Sequence, residues 1–295
     1  MRILISGASG FIGTELQRQL ARENHEVLKL VRRQPREPTE INWAPASKVI
    51  DFRVLDNIDA VINLSGASAG RIPWTRNYKK VLRESRVQST RALAEAMNMA
   101  STPPRVFISA SAVGFYGNRP GERLTEGSPK GVGFFADLVN DWEQASSLAP
   151  EKTRVVNTRS GIVVGRGGGA LAPLLLTTRF GLGARIGTGG QHWPWISLYD
   201  EAAAIRHLLT SELRGPVNLV GPTPATSDRI TTELATAMHR WHKLAIPERL
   251  ISAAMGEAGR ELLLVSQKAV PLRLQEDGFE FRHSRVEDAI AAAVR

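Results

Sequence analysis

The sequence predicts an α/β fold: a doubly wound parallel sheet with a smaller, mostly helical C-terminal lobe. Three observations carry this. Short apolar runs alternate with longer stretches of helical periodicity through the first half, the pattern of a parallel sheet covered by helices on both faces. The first run, "RILIS" (2–6), is apolar without alternation, as a strand buried on both sides must be. It passes directly into "SGASGFIG" (6–13), a glycine triplet that opens a helix.

Each element follows in order. "FIGTELQRQLARE" (11–23) sets Ile12, Leu16 and Leu20 at helical spacing, and "EVLKLV" (26–31) is a second strand. "DAVINL" (59–64) and "RVFISA" (105–110) are further strands. Between them "VQSTRALAEAMNMA" (87–100) forms a helix that ends before the Pro103-Pro104 breaker. A helix over "GFFADLVNDWE" (133–143) precedes the strand "RVVNTRSGIVVG" (154–165). After Gly165 the character changes, with glycines on both sides of a short apolar helix in 165–191. A strand running into a helix (193–209) and a strand over 215–222 come next. From Thr226 the pattern is mostly helical, with Pro247 starting a new helix and "GFEF" (278–281) a last extended piece. The expected division is a dinucleotide-binding core over 1–165, to which 193–221 returns, and a lobe built from 166–192 and 222–295.

Composition narrows the function classes. The 295 residues are 23% charged and 42% hydrophobic, as in an ordinary globular protein. No run approaches the roughly 18 apolar residues of a membrane span. The first residues enter a strand at once, leaving no room for a signal peptide, so a cytoplasmic location is expected. The absence of cysteine removes disulfides, thiol catalysis and thiolate metal sites. The net charge of +9 comes from scattered, mostly arginine side chains without interleaved aromatics. That distribution favours a small anionic ligand over nucleic acid, with no membrane partner, in a monomer or homodimer.

The glycine loop carries the first chemistry. Gly7, Gly10 and Gly13 lie three apart between a strand and a helix, where the backbone must turn tightly and admit a pyrophosphate. Backbone N–H groups at the helix start then face the anion, aided by the helix dipole. Gly7, Ser9, Gly10, Phe11, Ile12 and Gly13 are the contact candidates. At the tip of the second strand an acid would accept the ribose hydroxyls of NAD, whereas arginine suits the 2′-phosphate of NADP. The strand ends "KLVRR", with Arg32 and Arg33 and no acid before Glu37, and so selects NADP(H), with Arg32 as the contact.

With these motifs in view the chain resembles the atypical and extended short-chain dehydrogenase/reductases, in the epimerase-family (NAD-dependent epimerase/dehydratase-like) branch with an added C-terminal domain. The resemblance is carried by "SGASGFIGTEL" (6–16), "DAVINLSGAS" (59–68), "ESRVQSTRAL" (84–93), "SASAVGFYG" (109–117) and "TRSGIVVGRGGGAL" (158–171). "PWISLYD" (194–200) and "LLLVSQKAVPLRLQEDGFEF" (262–281) extend it over nearly the whole chain. It implies a Rossmann core. It also implies that Leu64 and Ser65 line the adenosine and pyrophosphate side, and that Arg86 points into the cofactor cleft. Ser109 and Ser111 would lie where substrate and nicotinamide meet, and Arg159 through Val163 would flank the nicotinamide end.

One expected part is missing. In the usual short-chain arrangement a tyrosine, its pKa lowered by a lysine four residues on, exchanges the proton. The three tyrosines here are followed four on by Leu82, Pro120 and Ala203. The resemblance places Phe135 at the tyrosine position and Val139 at the lysine position. Phe134, Phe135, Leu138, Val139 and Trp142 form one apolar stripe, so this helix has the pattern of a packing element. Three explanations stay open: another group supplies the proton, with Tyr116 leading and His192 and Asp137 behind it; a solvent proton completes the reaction, as in reduction of a conjugated alkene; or the protein binds NADP(H) as a sensor. Ser111 is a candidate substrate contact.

Three lesser constellations complete the list. His239 and His242 have helical i,i+3 spacing but no third ligand group nearby in sequence, which favours no metal. His192, Trp193 and Trp195 could form a wall for a planar or apolar substrate, or pack where lobe meets core. The glycines at 167–169 read as a hinge rather than a phosphate cradle. The expectation is an atypical NADP(H)-dependent oxidoreductase of unknown small-molecule substrate. The alternative is a non-catalytic NADP(H)-binding sensor, and a nucleotide-sugar epimerase comes third.

Overall fold

Chain order in the computed structural model, described over residues 1–47, 50–169 and 171–294, begins with the strand–helix alternation the patterning predicts. β1 (Arg2–Ser6), α1 (Phe11–Arg22), β2 (Glu26–Val31), β3 (Glu40–Asn42), β4 (Ala60–Asn63), α2 (Arg76–Met99) and β5 (Val106–Ala112) come first. β6 (Arg119–Leu124), α3 (Phe134–Ser146), β7 (Arg154–Ser160), β8 (Ile162–Val164), α4 (Ala172–Arg179) and β9 (Gly183–Ile186) follow. Then come β10 (His192–Trp193), β11 (Trp195–Ser197), α5 (Leu198–His207), β12 (Gly215–Leu219), β13 (Ala225–Thr226) and α6 (Ser227–Ala237). The chain closes with β14 (His242–Ile246), α7 (Glu248–Leu262), β15 (Gln267–Ala269), α8 (Leu272–Glu276) and α9 (Val286–Val294).

Seven strands form one sheet in the order β12-β7-β5-β4-β1-β2-β3, with every neighbouring pair parallel. The chain winds outward in both directions from the β1/β4 boundary, and such a reversal opens a crevice at the carboxyl ends of the strands. Register brings the relevant side chains level along that edge. Ser6 lies opposite Asn63, Asn63 opposite Ser109, and Ser111 opposite Arg159.

Alternation assigns the strand residues to two cores. Ile3 and Ile5 of β1 pack with Leu16 and Leu20 of α1 and Ile205 of α5. Leu4 faces the other way, joining Val61 and Phe107 with Leu93 and Met97 of α2. Each such side chain contributes about 1.5–3 kcal/mol when fully buried, so the sheet holds the crevice rigidly. A third cluster gathers Trp193, Trp195, Ile230, Leu234 and Ile290 from the C-terminal elements.

Several boundaries differ from the sequence reading. α2 begins at Arg76 rather than 87, behind a Thr75 N-cap whose hydroxyl accepts from Tyr78 N at 3.1 Å. The basic run there hides a stripe in which Leu82 is buried. The strand over 154–165 breaks at Gly161, and β8 leaves the sheet to pair with β11. A side chain at Gly161 would stand 2.5 Å from the Pro194 carbonyl oxygen, which accounts for the glycine. Residues 278–281 are not a strand: Phe279 and Phe281 pack edge to face, 4.8 Å between ring centres, against the first core. His239 and His242 do not share a helix, since α6 ends at Ala237 and His242 starts β14. Among the described residues no group of three or more possible ligands could hold a metal ion, and no helix is long and apolar enough to cross a membrane.

Candidate functional site

The glycine loop lies at the carboxyl end of β1, beside the switch point. Gly7 has φ of +72°, and a side chain there would stand 2.7 Å from the Leu64 carbonyl. Gly13 packs so closely that a Cβ would be 2.5 Å from the Gly7 carbonyl oxygen. A larger residue at either position would push apart the loop, α1 and the end of β4. The N-cap of α1, Gly10, offers no side-chain acceptor, and no acidic residue lies in the first turn. The first-turn amides of Phe11, Ile12 and Gly13 are therefore left for an external anion, the arrangement a pyrophosphate needs. Ser9 stands exposed at the loop tip. The loop over 165–169 wraps the Phe11 ring: side chains at Gly165, Gly168 or Gly169 would come within 2.9 Å of it. These glycines cradle an aromatic ring at the loop's flank, in place of the expected hinge.

The two arginines after β2 have separate fates. Arg33 forms a two-pronged ion pair with Glu40 at 2.8 and 2.7 Å. Arg32 is exposed and has no ion pair among the described residues. Across the crevice, Ser65 Oγ donates to Ser6 Oγ at 3.0 Å, and Ser6 donates to Asn63 Oδ1 at 2.5 Å. Asn63 in turn reaches Thr90, to which the Trp142 indole also donates. This buried chain of polar groups fixes the turn that carries Leu64 and Ser65. Arg86 backs the same turn, its guanidinium carbon 3.2 Å from where a Gly66 side chain would begin. It donates to the Leu82 carbonyl at 3.1 Å and lies over the Trp142 ring, but has no carboxylate partner among the described residues. Burial pushes its pKa down to about 10. A charge desolvated without a counter-ion is costly, and an anionic ligand would relieve it.

At the ends of β5 and β7 a tight polar cluster forms. Arg159 grips Glu143 of α3 with two bonds of 2.8 Å, and Ser111 Oγ donates to the same carboxylate at 2.6 Å. Arg159 also donates to the Tyr116 hydroxyl at 3.1 Å, and that hydroxyl donates to Asn218 Oδ1 at 2.6 Å. Tyr116 is 0% exposed, and burial raises its pKa. Its hydroxyl is committed on both sides, so in this conformation it presents no proton to a ligand. Ser109 is likewise fully buried, its hydroxyl turned to the neighbouring Ala110 carbonyl at 3.3 Å. Ser111 keeps a small exposed surface at the edge. Val163 is buried in β8, in the core that Phe11 packs against.

Comparisons with known proteins identify the family and the fold. The family model described as "NAD dependent epimerase/dehydratase family" matches residues 3–221. The chain belongs to that family. A second model, a domain of unknown function (DUF1731), matches residues 246–293. Epimerase family protein ML0860 of Mycobacterium leprae is 39% identical over 293 residues, covering 99% of this chain and 95% of the relative. The human epimerase family protein SDR39U1 is 35% identical over the full length of both chains. Its crystal structure with NADPH superposes with a TM-score of 0.91 at 33% identity, covering 100% of this chain and 99% of that one. The UDP-glucose 4-epimerase of Thermus thermophilus, solved with NAD, is 20% identical with a TM-score of 0.79, which speaks to the fold alone.

Within this epimerase-family frame, α3 is a packing helix. Val139, at the position expected for lysine, is fully buried with Leu82, Leu138 and Trp142. A lysine ammonium there would be desolvated without a partner. Phe135, at the tyrosine position, lies parallel to Trp74, with ring centres 5.7 Å apart and planes 12° apart. Its other neighbour is Gly114, where a side chain would collide with the ring. The helix is held from the C-terminal part, since Glu261 of α7 accepts from the Phe134 and Phe135 amides at 2.9 and 2.8 Å.

The remaining substitutes for the acid are distributed elsewhere. Asp137 is exposed and paired with Lys130. His192 is half-buried, its pKa pushed down by burial and by Lys268. Trp193 and Trp195 are buried with indole N–H groups on the Leu263 and Thr223 carbonyls, so they pack the third core rather than wall a substrate. The stacked aromatic pair beside α3 is Trp74 with Phe135. Sequence reading missed Glu143, although its place directly after Trp142 in an otherwise apolar stripe marks it as an inward carboxylate.

Proposed function

We propose that the protein is an atypical NADP(H)-dependent oxidoreductase acting on a small molecule with a planar or apolar part. The observation that carries the cofactor reading is the division of labour at the tip of β2. Arg33 is neutralised by Glu40, and Arg32 has no ion pair among the described residues at the tip where a 2′-phosphate would be recognised. The uncapped start of α1 suits the pyrophosphate, and unpaired Arg86 suits a further negative charge near Ser65. The NADPH found in the human relative's structure supports the same choice. Bound there, NADPH would supply a hydride. Ser111, held by Glu143, would orient the substrate's polar end at the edge, and Trp74 with Phe135 would receive its apolar part.

The test is a paired titration. NADPH should bind more tightly than NADH, and Arg32→Ala should remove about 1.5–3 kcal/mol of that preference, the worth of a charge-assisted hydrogen bond. Arg33→Ala should remove less. Identical curves for the two cofactors would refute the assignment. A second reading, an NADP(H) sensor without catalysis, is favoured by one observation: phenylalanine and valine fill the usual acid and lysine positions. NADPH consumption across quinones, enones, aldehydes and nucleotide sugars separates the two, since silence alongside tight binding would support the sensor. A nucleotide-sugar epimerase would need a base at the hydroxyl carbon, and the usual one is absent.

A further inference from the structure

A second carboxyl group lies behind the same edge, on the face of β7 opposite Glu143. Glu201 sits on α5 with 1% of its surface exposed. Its Oε1 lies 2.5 Å from the hydroxyl of Ser160, the last residue of β7, while Oε2 has no partner. No ion pair reaches it among the described residues. The neighbouring carboxylate on the helix, Asp200, is engaged by Ser197, His283 and the Arg282 and His283 amides. Ser160 itself is half-buried at the carboxyl edge, next to Arg159 and level with Ala112 of β5.

An ionised carboxylate in that setting would lack both a cation and a bond to one oxygen. A neutral acid fits: its proton lies between Oε1 and Ser160 Oγ, and Oε2 is an ordinary carbonyl oxygen. Burial drives the group the same way, raising its pKa to about 8. With that proton on Glu201, the Ser160 hydroxyl keeps only the long bond it donates to the Thr158 carbonyl, 3.5 Å away, and can exchange that acceptor for a ligand oxygen.

We infer that Ser160 and Glu201 are the proton-donating pair of this site, Ser160 giving its hydroxyl proton to the substrate oxygen and Glu201 replacing it. The inference rests on the oxidoreductase reading above. Reduction of a carbonyl needs, besides the hydride that NADPH supplies on oxidation to NADP+, one proton at oxygen. The Ser160 O–H bond breaks as the substrate O–H bond forms, and the Glu201 O–H bond breaks as that of Ser160 re-forms. The electron pair stays on Glu201 as a carboxylate, which water reprotonates after turnover. Serine alone is too weak an acid at neutral pH; a carboxylic acid behind it removes that barrier. Ser160 is the catalytic residue here and Glu201 its positioning partner and proton store.

Proton counting on the complete protein tests this without turnover. The heat of binding of NADP+ and of NADPH is measured at pH 7 in buffers of different ionisation enthalpy. The cationic ring of NADP+ lowers the proton affinity of a nearby acid, so NADP+ should release about half a proton or more beyond NADPH. Glu201→Gln should abolish the difference, whereas Ser160→Ala should retain it. Infrared spectra of the wild-type protein should carry a protonated-carboxyl band at pH 7 that titrates near 8 and is missing in Glu201→Gln. Equal proton release for the two cofactors, or no such band in the wild type, would overturn the pair while leaving the cofactor reading intact. Failure of both cofactors to bind would remove the cofactor reading, and the pair with it.

Discussion

Glu201→Gln is the most informative single change, because its effect on stability depends on pH in a way that can be worked out. The ordinary glutamate value is 4.5, and burial raises it to about 8 in the folded chain. The folded state therefore holds a proton that the unfolded chain has already released between those values. For a raised carboxyl the stability is highest below the unfolded pKa and falls as pH rises toward the folded one. The full separation, 8 minus 4.5, is worth about 5 kcal/mol at 1.36 kcal/mol per pH unit. Between pH 5 and pH 8 the wild type should lose about 3.5 kcal/mol through this group alone, whereas glutamine has no proton to lose. Glutamine also brings two N–H donors to a site where, among the described residues, Ser160 Oγ is the one nearby acceptor, a penalty of about 1–3 kcal/mol that does not vary with pH. Urea unfolding of both proteins at several pH values between 5 and 8 cancels every other titrating group by difference. The variant should start no more stable than the wild type at pH 5 and overtake it as pH rises. A stability difference that stays flat over this range would show that Glu201 is ionised in the native state, and the argument for a stored proton would fail.

Two further changes separate binding from structure. Arg86→Met removes a cation with no carboxylate partner, so no anion is orphaned; denaturant stability should change by less than about 1 kcal/mol, while NADPH affinity measured by fluorescence titration falls tenfold or more. Unchanged affinity would place Arg86 outside the ligand's reach. Tyr116→Phe strips a partner from both Asn218 and Arg159 and should lower stability by about 1–3 kcal/mol, with NADPH affinity unchanged in the same titration. A stable variant with impaired turnover would instead return Tyr116 to the chemistry.

How much of this was legible in the sequence depends on how local the cause is. β1, the glycine loop and α1 were readable because a buried parallel strand, a tight turn and an amphipathic helix are each specified by adjacent residues. β3 was not, since three residues at a sheet edge with half-polar composition carry no period. The pairing of β14 with β9 joins segments far apart in the chain, and nothing in either announces the other. At the site, both arginines after β2 were visible, but their division was not, because Glu40 faces Arg33 only once β3 lies beside β2. Tyr116 looked available because it follows a polar strand end. Its burial depends on Asn218 and Arg159, which arrive from two other strands.

The loss of the tyrosine–lysine pair is not an isolated gap but part of a repacked face. Phe135 fits because position 114 is glycine and Trp74 covers the ring; Val139 fits because Leu82 and Trp142 close over it. Placing tyrosine and lysine at these positions would set an ammonium into an apolar core, so the usual pair does not fit by two substitutions alone. The polar groups of this face have meanwhile been consumed. Glu143, Arg159, Ser111, Tyr116 and Asn218 satisfy one another, which makes them a scaffold rather than a reservoir of exchangeable protons. A protein group that supplies a proton here has to be neutral, weakly satisfied and next to the edge. Glu201, reached through Ser160 from the opposite face of β7, meets all three conditions. The same geometry also gives the sensor reading a sharp form. If Glu201 releases its proton when NADP+ binds but no substrate is ever reduced, the pair reports the oxidation state of the cofactor as a change in buried charge beneath α5.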